Sequence, residues 1–412
     1  MNGLSPDAWI AVAVAAVTLG GVAFGRLPFV PLDRAGFALV GAAMLLLTGV
    51  VDLHQAWGLI DAEVLLLLLF GLMLLNEALA DAGAFRTLTR WATQRARGPA
   101  TLLVALVLAA GVLSALFLND TIVIMLTPLV VHLTRHLGVT PLPYLLALAT
   151  AANVGSVATV TGNPQNLIVS VQGGIGYLDF VAALGPVAAA GLVVVIATIA
   201  VCHRRELGRA PFGVPPAPAP TLPRRPLLMA MGWAAVLVVS FAAGAPVATA
   251  ALVVGAGVVI TAGRGGTRLL ARVDLSLLTL FAGLFVVVGA LGTSGVTTQA
   301  GAVLGSVWAT SVVPLTAVTA VASNLFSNVP AVLLLAPWVG EAGGGQIGYL
   351  TLAMASTLAG NLTLVGSVAN LIVVESARRL GVEVGFWAYL RVGVPITLGS
   401  LALGAAWLAA MA

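Results

Sequence analysis

The chain has 412 residues, 60% of them hydrophobic and only 8% charged, against the roughly 25% charged residues of an ordinary soluble domain. With a mean hydropathy of +1.11 this is a membrane chain. Its net charge of +4 is no nucleic-acid signature, because charges this sparse act through their position. The lone cysteine, Cys202, excludes a disulfide framework and a thiolate metal cluster.

The N-terminal MNGLSPDAW carries no basic leader and no cleavage signal, so the apolar stretch 8–25 is expected to be a retained spanning helix. Stretches 35–51 and 62–83 follow, each near the roughly 20 residues that cross a hydrocarbon core. Residues 99–134 then hold two apolar arms around Leu118-Asn119-Asp120-Thr121. The run 143–173 is interrupted by Thr161-Gly162-Asn163-Pro164-Gln165-Asn166, and a span at 178–202 closes a first half, 1–203. The Pro- and Arg-rich segment 204–226 reads as a cytoplasmic linker. The second half, 227–412, opens with spans at 227–244, 246–263 and 274–292. Residues 298–342 repeat the two-arm pattern around Ser327-Asn328-Val329-Pro330. The run 349–377 is broken at Gly366-Ser367-Val368-Ala369-Asn370, and 385–410 ends the chain.

All eighteen basic residues are arginines lying between apolar segments: Arg26/Arg34, Arg86/Arg90/Arg95/Arg97, Arg135, Arg204/Arg205/Arg209/Arg224/Arg225, Arg264/Arg268/Arg272, Arg378/Arg379 and Arg391. One topology, with both termini extracytoplasmic, places every one of them in the cytoplasm, as the positive-inside rule requires. It makes 99–134 begin and end inside, and 298–342 begin and end outside. The plasma (inner) membrane of a prokaryote is the expected location.

The halves resemble each other. LFGLMLLNEALADAG (69–83) aligns with FAGLFVVVGALGTSG (281–295), and FLNDTIVIMLTPLV (117–130) with FSNVPAVLLLAPWV (326–339). With one residue skipped, 144–169 aligns with 349–373. In the topology above the units are inverted, an architecture recurrent among secondary transporters. The predicted fold is therefore all-α and polytopic: two inverted repeats, about ten spanning helices, two re-entrant hairpins (99–134 and 298–342), and two helices (143–173 and 349–377) broken at mid-membrane.

Irregular backbone at membrane depth survives only where it is buried in protein or lines a wet cavity. Each of the four breaks concentrates capping and helix-ending residues, with half-helices predicted to start near Thr121, Pro164 and Pro330. Their free N–H groups would converge on one site for negative or oxygen-rich ligands, without any Arg. Exposed carbonyls at the arriving helix ends could coordinate Na⁺, near Asn119, Asp120 and Asn328. A carboxylate at mid-membrane costs roughly 2.5–3.5 kcal/mol on insertion scales, which marks Asp120 as the coupling residue. The candidate substrate and ion contacts are Asn119, Asp120, Thr121, Thr161, Gly162, Asn163, Asn166, Ser327, Asn328, Gly366, Ser367 and Asn370.

Bland readings compete for single residues. A lone Ser156, Thr159 or Thr363 more often caps backbone or ties helices together. Glu77, beside Asn76 near the cytoplasmic end of its helix, can snorkel or pair with an Arg. His132 and His136 suit a headgroup position, and His54 and Asp61 an outer loop. No His/Glu metal motif, Ser/Lys pair or P-loop occurs, so neither an enzyme nor an intrinsic ATPase is expected, and no cofactor beyond a coupling H⁺ or Na⁺. A channel would need a continuous polar pore, whereas here polar residues gather at the breaks.

At FLNDTIVIMLTP, TGNPQNLIV, SNVPAVLLLAP and GNLTLVGSVANLIV the chain resembles the ion transporter superfamily, over nearly its whole length. That group includes arsenical pump membrane proteins, sodium/proton antiporters and divalent anion–sodium symporters. The resemblance implies a scaffold, a transport region that moves elevator-like, hairpin tips that bind substrate, and often a homodimer. The divalent anion symporters carry Ser-Asn-Thr at both tips; here Leu118-Asn119-Asp120 and Ser327-Asn328-Val329 depart from that. An ionised Asp120 about 4 Å from a substrate charge would repel a dianion by several kcal/mol at an effective dielectric near 20. The Asn-Asp tip resembles the arsenical-pump and antiporter branches, and arsenous acid or a monoanion moved with a proton suits it better. The expected function is ion-coupled secondary transport resembling arsenite efflux, driven by inward proton movement, with proton and substrate competing at Asp120. ATP-driven transport would need a separate ATPase subunit. The alternatives are a Na⁺- or H⁺-coupled permease for dicarboxylate, citrate or sulfate, and a sodium/proton antiporter.

Overall fold

A computed structural model describes residues 5–25, 31–61, 67–84, 87, 96–208, 224–299 and 307–412. Arg26, Arg86, Arg90, Arg95 and Arg209, most of the predicted linker, and the parts of the predicted segments at 62–66 and 300–306 lie outside the described residues.

Local chemistry sets the helix starts. Helix α1 (Pro6–Phe24) begins with Pro at its first position behind Ser5, whose hydroxyl accepts the Ala8 N–H at 3.2 Å. Asp33 caps α2 (Arg34–Leu47) through the Gly36 N–H at 2.8 Å. Helix α3 (Phe70–Asp81) follows. The first hairpin is α4 (Pro99–Leu116) and α5 (Asn119–His136), parted only at Phe117 and Leu118. The first broken run is α6 (Leu142–Ser156), a short 3-10 turn at Val160–Gly162, and α7 (Pro164–Gln172). Helix α8 (Tyr177–Cys202) ends the half.

The second half repeats this order. Helices α9 (Arg224–Ala242), α10 (Val247–Ala262) and α11 (Leu275–Thr293) come first. The second hairpin is α12 (Val312–Phe326) and α13 (Asn328–Glu341), parted only at Ser327. The second broken run is α14 (Gly345–Ala359), a 3-10 turn at Leu364–Gly366, and α15 (Val368–Arg379); α16 (Phe386–Met411) closes the chain. Seven described helices are long and apolar enough to cross a membrane, the first hairpin arm α4 among them. Six of the ten predicted spans are among the seven; of the other four, 62–83 lies partly outside the described residues, α2 has only 14 residues, and two are the broken runs. The breaks split the two long runs into pieces of 15 and 9 residues and of 15 and 12, each too short to span alone at 1.5 Å per residue.

The packing carries the repeat. Helix α2 lies on α11 as α3 lies on α10, α4 on α6 as α12 on α14, and α5 on α15 as α13 on α7, while α8 packs on α16. Lipid-embedded helices gain nothing from water exclusion, so small residues that admit close backbones decide such contacts. A Cβ on Gly71 of α3 would sit 2.3 Å from the Ala251 carbonyl oxygen of α10. Gly283, its aligned counterpart on α11, would meet the Ala38 carbonyl of α2 at 2.6 Å. The same glycine thus makes the same crossing in each half.

Two bodies result. Helices α1–α3 and α9–α11 form one, and α4–α8 with α12–α16 form the other. Their principal mutual contacts are α1 on α12, α11 on α13 and α8 on α9.

Candidate functional site

All four breaks open on one small cavity. Its volume is about 60 Å³, and Asn119, Asp120, Asn163, Pro164, Gln165, Ser327, Asn328 and Ser367 line it from the second body. Those residues sit at or just before the first turns of α5, α7, α13 and α15, so four helix N-termini, one more than the sequence predicts, face the same space. Each carries roughly half a positive charge in unpaired N–H groups. The first body supplies Val22, Leu277, Leu280, Phe281 and Arg34.

Arg34 corrects the sequence reading. Placed there with Arg26 in a cytoplasmic cluster, it instead lines the cavity, so the site does contain an arginine. Its charge is felt by Asp120 on the opposing body, and its guanidinium lies over Gly25, which a φ of 75° keeps free of a side chain. The one available signal was its place in the first turn of α2. A cation at the positive end of a helix is unfavourable by about 0.3–1 kcal/mol, so it is there for another reason.

Two larger cavities join the site to the side where Arg272 and Arg379 lie. One, of about 540 Å³, runs past Asn76, Glu77, Thr121, Arg272 and Asp274 to Asp120. The other, of about 750 Å³, is bordered by Asp33, Arg34, Asp120, Asp274, Glu375 and Arg379. Glu77 therefore faces the approach to Asp120, and the field of Arg272 reaches it. Arg272 is itself bound to Asp81 at 2.9 Å.

The remaining predicted residues shape the breaks. Asn166 donates to the Ser156 and Thr159 carbonyls at 2.9 and 2.8 Å. Asn370 does the same to Gly360 and Thr363 at 2.8 and 3.1 Å. The aligned asparagine of each break thus binds two backbone carbonyls at the helix end that precedes it. Thr161 bonds toward Ala115 and Leu116 of α4, and Thr159 also bonds the Ala115 carbonyl. A Cβ on Gly162 would lie 2.3 Å from the Ser156 oxygen, and one on Gly366 2.9 Å from Asn324 Oδ1. None of Thr161, Gly162, Asn166, Gly366 and Asn370 lines the central cavity.

Sequence reasoning also missed the hub beneath the cavity. The buried Asn153 of α6 accepts from Asn119 at 3.1 Å and from Ser367 at 3.0 Å. Its amide donates to Asn361 at 2.9 Å and Asn370 at 3.0 Å. One side chain ties the first tip to the second broken run. Its only sequence signal is an Asn within ATAANV (149–154), which is indistinguishable from ordinary interhelical glue. Ser323, which donates to Asn328 at 2.8 Å and to the Ser356 carbonyl at 2.9 Å, was equally silent. Asn163 donates to Ser156 Oγ at 3.2 Å.

Comparison with known proteins agrees with this architecture. An uncharacterized transporter of Mycobacterium tuberculosis is 32% identical over 426 residues, covering 96% of this chain and 98% of its own. The silicon efflux transporter LSI3 of Oryza sativa subsp. japonica is 29% identical over 476 residues, covering 94% and 96%. The crystal structure of the Alcanivorax borkumensis YdaH transporter superposes with a TM-score of 0.62 at 16% identity, over 98% of this chain and 97% of that one, which bears on fold alone. The sequence profile of the citrate transporter family, CitMHS, matches residues 21–359. A multi-pass helical membrane protein with this repeat, matched over most of its length, belongs to the citrate transporter family of secondary transporters.

Proposed function

We propose that the protein moves a small oxyanion or its neutral acid, coupled to protons at Asp120, by an elevator-like displacement of the hairpin-bearing body. The observation that carries this reading is the convergence of four helix N-termini and one carboxylate on a single cavity between two bodies. Size supports a small cargo: at about 10–15 Å³ per water-sized group, the cavity of about 60 Å³ suits an oxyacid of a few oxygens. The Oε1 atom of Gln165, a residue lining the cavity, is buried without a partner among the described residues. It is an acceptor for an acid hydroxyl. The N-termini supply donors to its oxygens. The hairpins would be re-entrant, since α5 packs on α15 and α13 on α7, which sets each tip at the level of a break.

The test is flux in proteoliposomes carrying an internal pH dye, with arsenous acid, silicic acid and citrate as probes. Arsenous or silicic acid flux is expected to move protons and to follow the pH gradient, and Asp120→Asn to cut that dependence by roughly tenfold or more. Arsenous acid exchange that leaves internal pH unchanged would sink proton coupling. The family's description and the two larger cavities favour a second reading, a permease for citrate or another organic anion. Na⁺-dependent citrate uptake would select it.

A further inference from the structure

Arg34 and Asp120 line the same two cavities from opposite sides of the boundary that an elevator movement must shear. Arg34 sits on α2 of the first body, and Asp120 on the tip of α5 of the second. Both border the central cavity and the 750 Å³ vestibule, and each feels the other's charge. The other charges facing Asp120 are committed elsewhere or lie farther down the approach. Asp274 caps α11 through the Leu277 N–H at 3.0 Å. Asp33 caps α2, and Arg272 holds Asp81 at 2.9 Å. Arg378 and Arg379 both bind Glu375, at 2.9 and 3.2 Å. Glu77 lies along the 540 Å³ approach with Arg272. Among the described residues Arg34 has no hydrogen-bond or ion-pair partner. Asp120 is thus the cavity's carboxylate, and Arg34 the cation left facing it.

We infer that Arg34 and Asp120 form an electrostatic latch between the two bodies, which holds the vestibule-open state until Asp120 is protonated. Separating an ionised Asp120 from Arg34 would strip two charges of each other in a medium of low dielectric, which is costly. A proton on Asp120 removes one charge, and with it the attraction that resists sliding. Under an inward proton gradient the proton reaches Asp120 on the far side and leaves it into the vestibule, where the ionised carboxylate is latched again. An unprotonated carrier is held in place, which prevents uncoupled leak. Proton and substrate then need not compete for the same atoms, as the sequence reading without an arginine supposed. The inference rests on the elevator reading above, and makes Arg34 the positioning partner of the coupling carboxylate.

The test places spin labels across the vestibule, in full-length protein carrying Cys202→Ser, Ser276→Cys and Ser376→Cys. The two label sites border the same cavity from opposite bodies. In otherwise wild-type protein, the fraction with a shifted distance is expected to rise roughly tenfold as pH falls from about 8 to about 5. Arg34→Gln is expected to abolish that pH response and Arg34→Lys to keep it. Asp120→Asn should match Arg34→Gln, and adding it to Arg34→Gln should change nothing more. The dependence of arsenous acid flux on the pH gradient should fall about tenfold in Arg34→Gln. Should Arg34→Gln fail to fold, the Lys and Asn variants decide the outcome. A pH response that survives in Arg34→Gln or Asp120→Asn overturns the latch alone. A wild type with no distance change at any pH, with or without arsenous acid, overturns the elevator movement and the latch with it.

Discussion

At the first hairpin tip, Asn119 reaches out of its own hairpin to Asn153, and through it to Asn361, Asn370 and Ser367. At the second, Asn328 accepts from Ser323 of the preceding arm and stays within its own hairpin. The backbones differ as well. Leu118 turns with an ordinary φ of −54°, whereas Ser327 is held at φ 78° and ψ 162°, a region that only glycine occupies freely. The first tip carries a carboxylate at Asp120, and Val329 stands in the aligned place. Inverted repeats therefore supply the shape twice and the chemistry once. One tip is unstrained, charged and anchored across the halves; the other is uncharged, strained and anchored locally.

The largest effect should come from erasing the asymmetric anchor. Asn153→Leu installs the residue of the aligned position, Leu358, and leaves the partners of four buried hydrogen bonds unpaired. At about 1–3 kcal/mol for each stranded buried group, the loss should exceed about 3 kcal/mol in total. Thermal unfolding of the detergent-purified protein should show it, and a shift no greater than that of Leu358→Asn would mean that the hub is dispensable. An intermediate effect is expected at the break glycines. Gly162→Ala forces a Cβ onto the Ser156 carbonyl oxygen at 2.3 Å, whereas Gly366→Ala meets Asn324 Oδ1 at 2.9 Å and the Gly360 carbonyl oxygen at 3.0 Å. Gly162→Ala should cost about 1–3 kcal/mol, and Gly366→Ala measurably less. Equal losses would show that the second break is as rigid as the first.

The smallest effect has opposite signs at the two tips. Ser327→Gly relieves a conformation costing about 1–3 kcal/mol and adds unfolded-state entropy worth about 0.5–1 kcal/mol, for a net gain of about 1 kcal/mol. Leu118→Gly relieves nothing and should lose stability. If Ser327→Gly stabilises the protein while slowing transport, the strain at the second tip belongs to the working cycle. If it destabilises, the serine is held by contacts that outweigh its backbone.

Much of the fold was legible because membrane chains obey strict local rules. The apolar lengths and the aligned breaks follow from a bilayer that forbids unpaired backbone. Pro164 begins a helix where its fixed φ and missing N–H cost nothing. The clustering of Asn119, Asn163, Ser327 and Ser367 was readable because polar residues in apolar runs must share a wet or buried site. Arg34 misled because position along the chain put it among solvent-facing arginines.

The sequence by itself determined a polytopic helical protein with two matched halves, four broken places and one carboxylate at a break, since hydropathy, capping and repetition are properties of neighbouring residues. Only the tertiary structure decided that Arg34 faces Asp120 across two bodies, and that Asn153 binds the first tip to the second broken run. It also showed that Asn166 and Asn370 spend their amides on backbone while Gln165 looks into the cavity. Those are relations between residues far apart in the chain, created when the two halves pack against each other, and no local pattern encodes which of several polar groups ends up opposite which.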